Sequence, residues 1–121
     1  MEETFFNYLL TYLRDNNVNA FFHLPLKVVY PSVCMEHKST HVFDQKEIIQ
    51  FSMICYHDQV RPDALTSFVR KLSDLLEKTD HYFCLGKKRG VLKIEHTQQV
   101  PHEYGKKSEY HMECTALVRN T

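Results

Sequence analysis

Glycine is scarce in this sequence, which has three glycines among its 121 residues. The glycine-rich loops that cradle phosphates and the Gly-x-Ser-x-Gly turn that presents a catalytic serine both need closely spaced glycines, and the sequence contains neither motif. Charge of one sign is missing as well, because 15 Lys and Arg residues balance 15 Asp and Glu residues. We therefore do not expect binding to nucleic acid or anionic membranes through bulk charge, which leaves a local basic patch as the open alternative.

Long hydrophobic runs are also missing. No apolar stretch approaches the roughly 20 residues that span a bilayer, and the start MEETFFNYLL carries acidic residues where a secretory signal carries basic ones. We therefore expect a soluble, cytosolic protein without membrane contact. In such a compartment cysteines stay reduced, and free thiols are expected at all four positions: Cys34, Cys55, Cys84 and Cys114.

What the sequence does contain is a strongly patterned stretch near its middle. Residues Glu47–His57 alternate between apolar and polar side chains, which predicts a strand with one buried face. Residues Asp58–Pro62 follow as a turn, and Asp63–Lys78 is predicted to be an amphipathic helix. Its apolar residues fall on one stripe: Leu65, Phe68, Val69, Leu72, Leu75 and Leu76.

Shorter elements precede this stretch. Thr4 is a suitable N-cap for a first helix, and the polar run Asp15-Asn16-Asn17 is predicted to end it. The short apolar run Val18–Phe22 is compatible with a strand, so one or two strands are expected before the long one. The segment Ser32–Glu36 predicts a strand, and His37–Gln45 is predicted to be a polar loop.

A hairpin and a final strand are predicted after the second helix. Segments Tyr82–Leu85 and Val91–Thr97 flank a loop of five residues, Gly86–Gly90, with glycine at both ends. Residues Gln98–Ser108 are predicted to be an exposed loop. The segment Glu109–Arg119 shows the cleanest apolar–polar alternation in the chain and predicts the last strand.

This order of elements predicts one α+β domain over residues 1–121. We expect a mixed, mostly antiparallel sheet of about four to five strands, with two amphipathic helices packed on one face. Phe5 and Phe6 are neighbours on the first helix and are not expected to face the core together, so the surplus apolar surface suits a subunit contact. The alternative is a terminal helix that is well covered. Zero net charge does little to keep monomers apart and also favours self-association.

Three histidine–cysteine pairs have the spacing that a zinc site uses: Cys34 with His37, His81 with Cys84, and His111 with Cys114. Residues three apart on a strand point to opposite faces, which argues against a metal ion shared by His111 and Cys114, and equally against Cys34 with His37 if that strand extends to position 37. Cys55 and Cys114 fall on the apolar faces of their strands, where a thiol packs like a small hydrophobe. We therefore expect packed thiols and surface histidines, with no metal or other cofactor.

One cysteine is a weak candidate for a nucleophile. Cys84 lies near a loop, near His81 and near the cationic Lys87 and Lys88, and such surroundings lower the pKa of a thiol. Proximity in sequence alone supports the idea, so we do not expect an enzyme.

A basic hairpin is the clearest candidate for an interaction site. Together with the next loop it supplies five cations that could reach phosphates: Lys87, Lys88, Arg89, Lys106 and Lys107. The alternative is a solvated turn rich in lysine. Tyr82 and Phe83 precede the hairpin and Tyr104 lies in the later loop, and alternation predicts that Tyr82 and Phe83 lie on opposite faces, with one of them exposed.

The chain resembles the small minor-capsid and tail-completion proteins of tailed bacteriophages, including tail terminators. The resemblance is one of pattern and covers nearly the whole chain. It rests on an N-terminal helix, a strand near a proline, the strand Ile48–Tyr56, the helix Pro62–Leu76 and the late strand Tyr110–Arg119.

The resemblance implies a viral structural protein without catalysis, located in the virion or the host cytoplasm. Such proteins form homo-oligomeric rings at the head–tail joint or the end of the tail tube, where they contact other tail or connector proteins. The hairpin of Lys87–Arg89 would then be a contact in the lumen or between rings, with DNA as one partner to consider. The alternative is a small inhibitory viral protein that uses the same basic hairpin to bind nucleic acid or a host protein.

Overall fold

The computed structural model describes residues 2–23, 27, 29, 31–57, 62–77, 81–100 and 108–120. Within these residues two helices and six strands follow one another as α1, β1–β3, α2 and β4–β6. Their bounds are α1 Glu2–Asp15, β1 Ala20–Phe21, β2 Ser32–Phe43, β3 Lys46–His57, α2 Pro62–Glu77, β4 His81–Leu85, β5 Lys88–Val100 and β6 Ser108–Asn120.

The strands form one mixed sheet in the order β1-β2-β3-β6-β5-β4, in which only the pair β1–β2 is parallel among the described strands. The predicted α+β class and the mostly antiparallel sheet are confirmed. The predicted number of four to five strands is too low, because the two-residue β1 joins the sheet by pairing with Val33 and Cys34. The Arg14 guanidinium fixes β1 by donating hydrogen bonds of 3.0 and 2.8 Å to the carbonyl of Ala20.

The predicted polar loop His37–Gln45 is wrong. Strand β2 continues to Phe43, and the connection to β3 is the two-residue turn Asp44-Gln45. The β2–β3 ladder runs past a bulge between His37 and Ser39 and holds the polar residues in extended conformation. Their polarity reflects the exposure of this end of the strand, where side chains meet solvent, and not an irregular backbone.

The predicted five-residue loop Gly86–Gly90 is also wrong, since the turn contains only Gly86 and Lys87. Gly86 has φ +63°, a conformation that glycine adopts without steric cost. Gly90 lies inside β5 and is buried beneath the ring of Phe83, so its role is to make room for that ring. Lys88 and Arg89 therefore belong to a strand, which fixes the faces to which they point.

The remaining strand and helix predictions hold with shifted ends. Strand β3 and helix α2 differ from their predicted bounds by one residue at one or both ends, and α1 begins at Glu2, so Thr4 lies inside the helix. Strand β5 extends to Val100 and takes in the start of the predicted loop Gln98–Ser108, whose residues 101–107 lie outside the described part of the chain. Most of the predicted turn Asp58–Pro62 lies outside it as well.

Both helices pack against one face of the sheet, which we call the inner face. Helix α1 contacts strands at both edges, β1 and β4, so the sheet curls around it. As a result Phe5 and Phe6 are 0% and 4% exposed, and the expectation that one of them lies outside the core is wrong. Phe5 contacts the ring of Phe51 on β3, and Phe6 contacts both Phe51 and Phe22. The curl supplies apolar surface on two sides of the helix.

Helix α2 covers β3, β5 and β6 with the predicted apolar stripe. Five members of that stripe are buried and Leu75 is partly buried. They pack with inner-face residues of the strands, among them Ile49, Met53 and Met112, all fully buried. No helix among the described residues is long and apolar enough to cross a membrane.

Candidate functional site

The other face of the sheet, which we call the outer face, has no helix of the described residues packed on it. Residues directly opposite one another in an antiparallel ladder share a face, so the register aligns their side chains in rows across the sheet. At one end, Lys46 pairs with Arg119, and Arg119 pairs with Arg89. We call Lys46, Arg119 and Arg89 the basic row. It crosses three neighbouring strands, β3, β6 and β5.

The five predicted interaction residues do not form one cluster in the described part of the structure. Arg89 is exposed in the basic row, and Lys87 is exposed in the adjacent turn. Lys88 points to the inner face, where its ammonium lies 3.7 Å from the Glu47 carboxylate, so its assignment to a solvent-exposed loop is wrong. The two later lysines, Lys106 and Lys107, lie outside the described residues.

Lys46 and Arg119 take part in this site, and sequence reasoning missed both. Arg119 is the last residue of its predicted strand and Lys46 directly precedes the predicted strand Glu47–His57, and alternation assigns both to the solvent face. Their meeting depends on the order β3-β6-β5, which brings together residues 30 to 73 positions apart in the chain. The signal that could have found them is the shared alternation of three long strands, once those strands are placed side by side.

The basic row places like charges in direct opposition. Cross-strand neighbours have Cβ atoms about 5 Å apart, and like charges at that spacing lower stability. None of the ion pairs among the described residues, such as Lys38–Glu113 and Lys88–Glu47, involves the basic row. Asp44 lines a surface pocket together with Lys46 and Arg119 but forms no ion pair with them among the described residues, so the row keeps a net positive charge at the surface.

Reversing the central charge is expected to stabilise the protein. Arg119→Glu replaces two repulsive cross-strand pairs, with Lys46 and with Arg89, by two attractive ones, and we expect the free energy of unfolding to rise by about 1 kcal/mol. Urea unfolding at low ionic strength measures the change. Arg119→Ala removes the repulsion alone and should fall between the wild type and Arg119→Glu. A variant less stable than the wild type would contradict the repulsion.

Exposed apolar side chains border the basic row. Phe43 pairs with Lys46 at one flank and is 50% exposed. Tyr82, on β4 at the other flank, is 73% exposed, whereas Phe83 is buried, as alternation predicts. Next to the basic row, a second row joins four strands through mostly apolar side chains: Ile48, Leu117, Val91 and Tyr82. This end of the outer face thus combines cations with accessible aromatic rings.

The three histidine–cysteine pairs do not converge. Cys34 lies on the outer face, and His37 points inward, with its ring 5.9 Å from that of Phe6. Cys114 is buried on the inner face, whereas His111 lies on the outer face, 3.1 Å from the Glu109 carboxylate. Across residues 31–57, 81–100 and 108–120, no three metal-ligating side chains are grouped together.

His81 and Cys84 are separated in the same way. The His81 imidazole lies on the inner face, where its Nε2 is 2.6 Å from the Tyr8 hydroxyl, and burial lowers its pKa. Burial likewise raises the pKa of Tyr8. Cys84 is exposed on the outer face, opposite Arg89. The imidazole and the thiol that it would have to activate therefore lie on opposite faces of the sheet, and the geometry does not support a Cys84–His81 pair.

Thiol reactivity is expected to follow this division of faces. Burial raises the pKa of Cys55 to about 12, so this thiol should stay protonated and react with a disulfide reagent at pH 8 only as the protein unfolds. The exposed Cys84 should react quickly. Reaction with 5,5′-dithiobis(2-nitrobenzoate) measures both rates, and Cys84→Ser should remove a fast phase. A fast reaction at Cys55, mapped by mass spectrometry, would contradict the packing.

A groove of about 380 Å³ lies beside α1, away from the basic row. Aromatic and aliphatic side chains form much of its lining, with one carboxylate and one imidazole: Glu3, Phe6, Asn7, Leu10, Phe22 and His37. His37 Nε2 is hydrogen-bonded to the Thr40 hydroxyl at 2.8 Å. The described residues of the lining include no thiol or hydroxyl group for this imidazole to activate.

The basic end of the outer face is the best-formed candidate site among the described residues. Its chemistry is that of binding: cations for an anionic partner and exposed rings for an apolar or aromatic one. Comparison with protein-family models and with curated proteins finds no match for the chain.

Proposed function

We propose that this protein is a structural assembly protein of tailed bacteriophages, with a role like that of tail terminators and tail-completion proteins. It forms a homo-oligomeric ring in the virion, contacts other tail or connector proteins and carries out no catalysis. The observation that supports the proposal best is that, among the described strands, the sheet has two long edges without a paired neighbour, one on each side.

The first open edge belongs to β2. Strand β1 pairs only with Val33 and Cys34, so β2 from Met35 to Phe43 has no further strand beside it within the described residues. The second belongs to β5, because β4 reaches only as far as Leu92, opposite His81. From Ile94 to Val100, β5 then has no other described strand beside it on that side. Such an edge exposes backbone donors and acceptors that can pair with another strand.

The two edges differ in sequence and lie on opposite sides of the sheet. Pairing the β2 edge of one copy with the β5 edge of the next is a heterologous contact, which closes into a ring when the rotation between copies is right. Each edge contains a bulge, between His37 and Ser39 and between Ile94 and His96. Bulges increase local twist, which favours rotation between copies over the flat stacking of a fibril.

Native mass spectrometry and light scattering over a range of concentrations test the proposal. We expect one discrete species larger than a dimer, because a heterologous contact leaves a dimer with two unsatisfied edges. A protein that stays monomeric up to high concentration, or an isologous dimer that does not grow, would overturn the proposal of a ring.

Two neighbouring proline substitutions locate the contact. Successive amides of a strand point to opposite sides, so one of Thr97→Pro and Gln98→Pro removes a donor from the open edge of β5 and the other removes one from the β5–β6 ladder. The edge variant should keep its Tm and lose the oligomer. The ladder variant should lose Tm. If both variants keep the wild-type oligomer, the β5 edge is not the contact.

A further inference from the structure

We propose that the basic end of the outer face binds single-stranded nucleic acid. The strand lies across β3, β6 and β5, with its phosphates over the basic row and its bases stacked on the exposed rings of Tyr82 and Phe43. This inference concerns a partner and a surface that ring assembly by strand edges does not require, so each can fail without the other.

Charge is the first argument. Lys46, Arg119 and Arg89 occupy adjacent strands about 4.8 Å apart, so the row extends over about 10 Å of the sheet. The repulsion within the row is relieved by an anion that contacts all three side chains, and a chain of phosphates has the matching form. Two carboxylates lie nearby. Glu47 is on the inner face with Lys88, and Asp44 shares a surface pocket with Lys46 and Arg119 without forming an ion pair to either among the described residues, so neither contacts all three cations.

The aromatic side chains are the second argument. Phe43 extends the basic row on β2, and Tyr82 lies at the other flank on β4, four strand spacings away, or about 19 Å along the sheet. Both rings are at least half exposed, and an exposed ring beside cations is the arrangement on which unpaired bases stack. Proteins that bind single strands combine these two features on a sheet surface.

The rings also favour a single strand over a duplex. Bases in a duplex are stacked on one another and present only their edges to a protein, so a duplex could use the basic row but not Tyr82 or Phe43. A single strand offers phosphates and base faces together. We therefore expect a preference for single-stranded oligonucleotides of the same length.

Fluorescence anisotropy with a labelled oligothymidine of about fifteen nucleotides measures the binding. We expect retention at low salt and a dissociation constant about tenfold higher in Arg89→Ala/Arg119→Ala. The slope of log K against log[salt] should become shallower by about 1.4, since each phosphate contact contributes about 0.7 on a single strand. Arg70→Ala is the control, because it removes an exposed cation of α2 on the other side of the sheet.

A second variant separates binding from folding. Arg119→Glu is expected to be at least as stable as the wild type, because it pairs with both neighbours, and yet to bind oligothymidine more weakly than Arg119→Ala. Loss of binding in a stabilised protein cannot be attributed to misfolding. Unchanged binding in this variant would overturn the proposal.

Stacking is tested by a single fluorophore. The chain has no tryptophan, so Tyr82→Trp provides a unique probe beside the basic row. Oligothymidine should quench its emission, and inorganic polyphosphate, which has charge but no bases, should not. Three results would overturn the proposal: no retention by the wild type at low salt, equal loss in the Arg70→Ala control, or polyphosphate and oligothymidine binding alike without quenching.

Discussion

Replacing Phe5 with alanine is expected to lower the free energy of unfolding by about 4 kcal/mol. Phe5 is fully buried at the point where α1 meets the curled sheet. Its ring centroid lies 5.2 to 5.4 Å from those of Phe6, Phe51 and Phe83, which join α1 to β3 and β4. Alanine leaves a cavity that these rings cannot fill without moving the helix.

The size of this loss comes from two terms. Truncating a buried phenylalanine costs about 3–5 kcal/mol, which is the sum of the lost burial of the ring with its aromatic contacts and of the cavity left behind. A domain of this size is stable by about 5–15 kcal/mol in total, so the variant should be close to unfolding at physiological temperature. Differential scanning calorimetry should show a fall in Tm of roughly 15 °C.

The matched control is Phe43→Ala, which removes the same side chain from an exposed position. We expect its free energy of unfolding to stay within about 0.5 kcal/mol of the wild type. If Phe5→Ala costs no more than Phe43→Ala, α1 does not lie in the curl of the sheet as described.

Gly90→Ala is the second large effect, with an expected loss of about 3 kcal/mol. A Cβ atom added at position 90 would overlap the Phe83 ring. It would lie 2.6 Å from Cε2 of that ring and nearer still to Cζ. The ring cannot retreat easily, because it packs against Phe5 at 5.4 Å and Tyr8 at 5.1 Å. The strand or the ring must therefore shift, and the hairpin β4–β5 should loosen.

Gly86→Ala is the control for glycine substitution in the same hairpin. Nothing lies within 4 Å of a Cβ at position 86, so its cost is limited to the left-handed backbone, about 1–2 kcal/mol. In Gly90→Ala/Phe83→Leu the smaller side chain should relieve the overlap, and the double-mutant cycle should show a favourable coupling of about 1 kcal/mol or more. Additive losses in urea unfolding would show that the ring is not what excludes the methyl group.

Local pattern predicted the main elements well, because alternation and helical stripes record which side chains are buried. The strand Glu47–His57, the helix Asp63–Lys78 and the last strand Glu109–Arg119 are confirmed to within one or two residues. The errors occur where polarity was taken for irregular backbone. In His37–Gln45 and Gly86–Gly90, the residues outside the two-residue turns lie in strands, and pairing with a neighbouring strand holds their backbone extended whatever their side chains.

At the candidate site, the sequence predicted individual residues but not how they are brought together. The sequence located the basic hairpin and the alternation of Tyr82 with Phe83. It could not show that Arg89 aligns with Arg119 and Lys46, because that alignment is a property of strand order and register between distant segments. For the same reason it grouped Lys88 with Arg89, although a strand sends neighbours to opposite faces and Lys88 pairs with Glu47.

The sequence by itself determined the class of fold, the two amphipathic helices and the buried face of each long strand, since these follow from the spacing of apolar residues along a single segment. The tertiary structure alone decided three other features: the burial of Phe6, the role of Gly90 and the formation of the basic row. Each of them depends on contact between segments that are far apart in the chain. The scarcity of glycine acquires its meaning there too, because one of the three glycines is required by a ring on the neighbouring strand. Short-range periodicity specifies elements, and only their packing specifies neighbours.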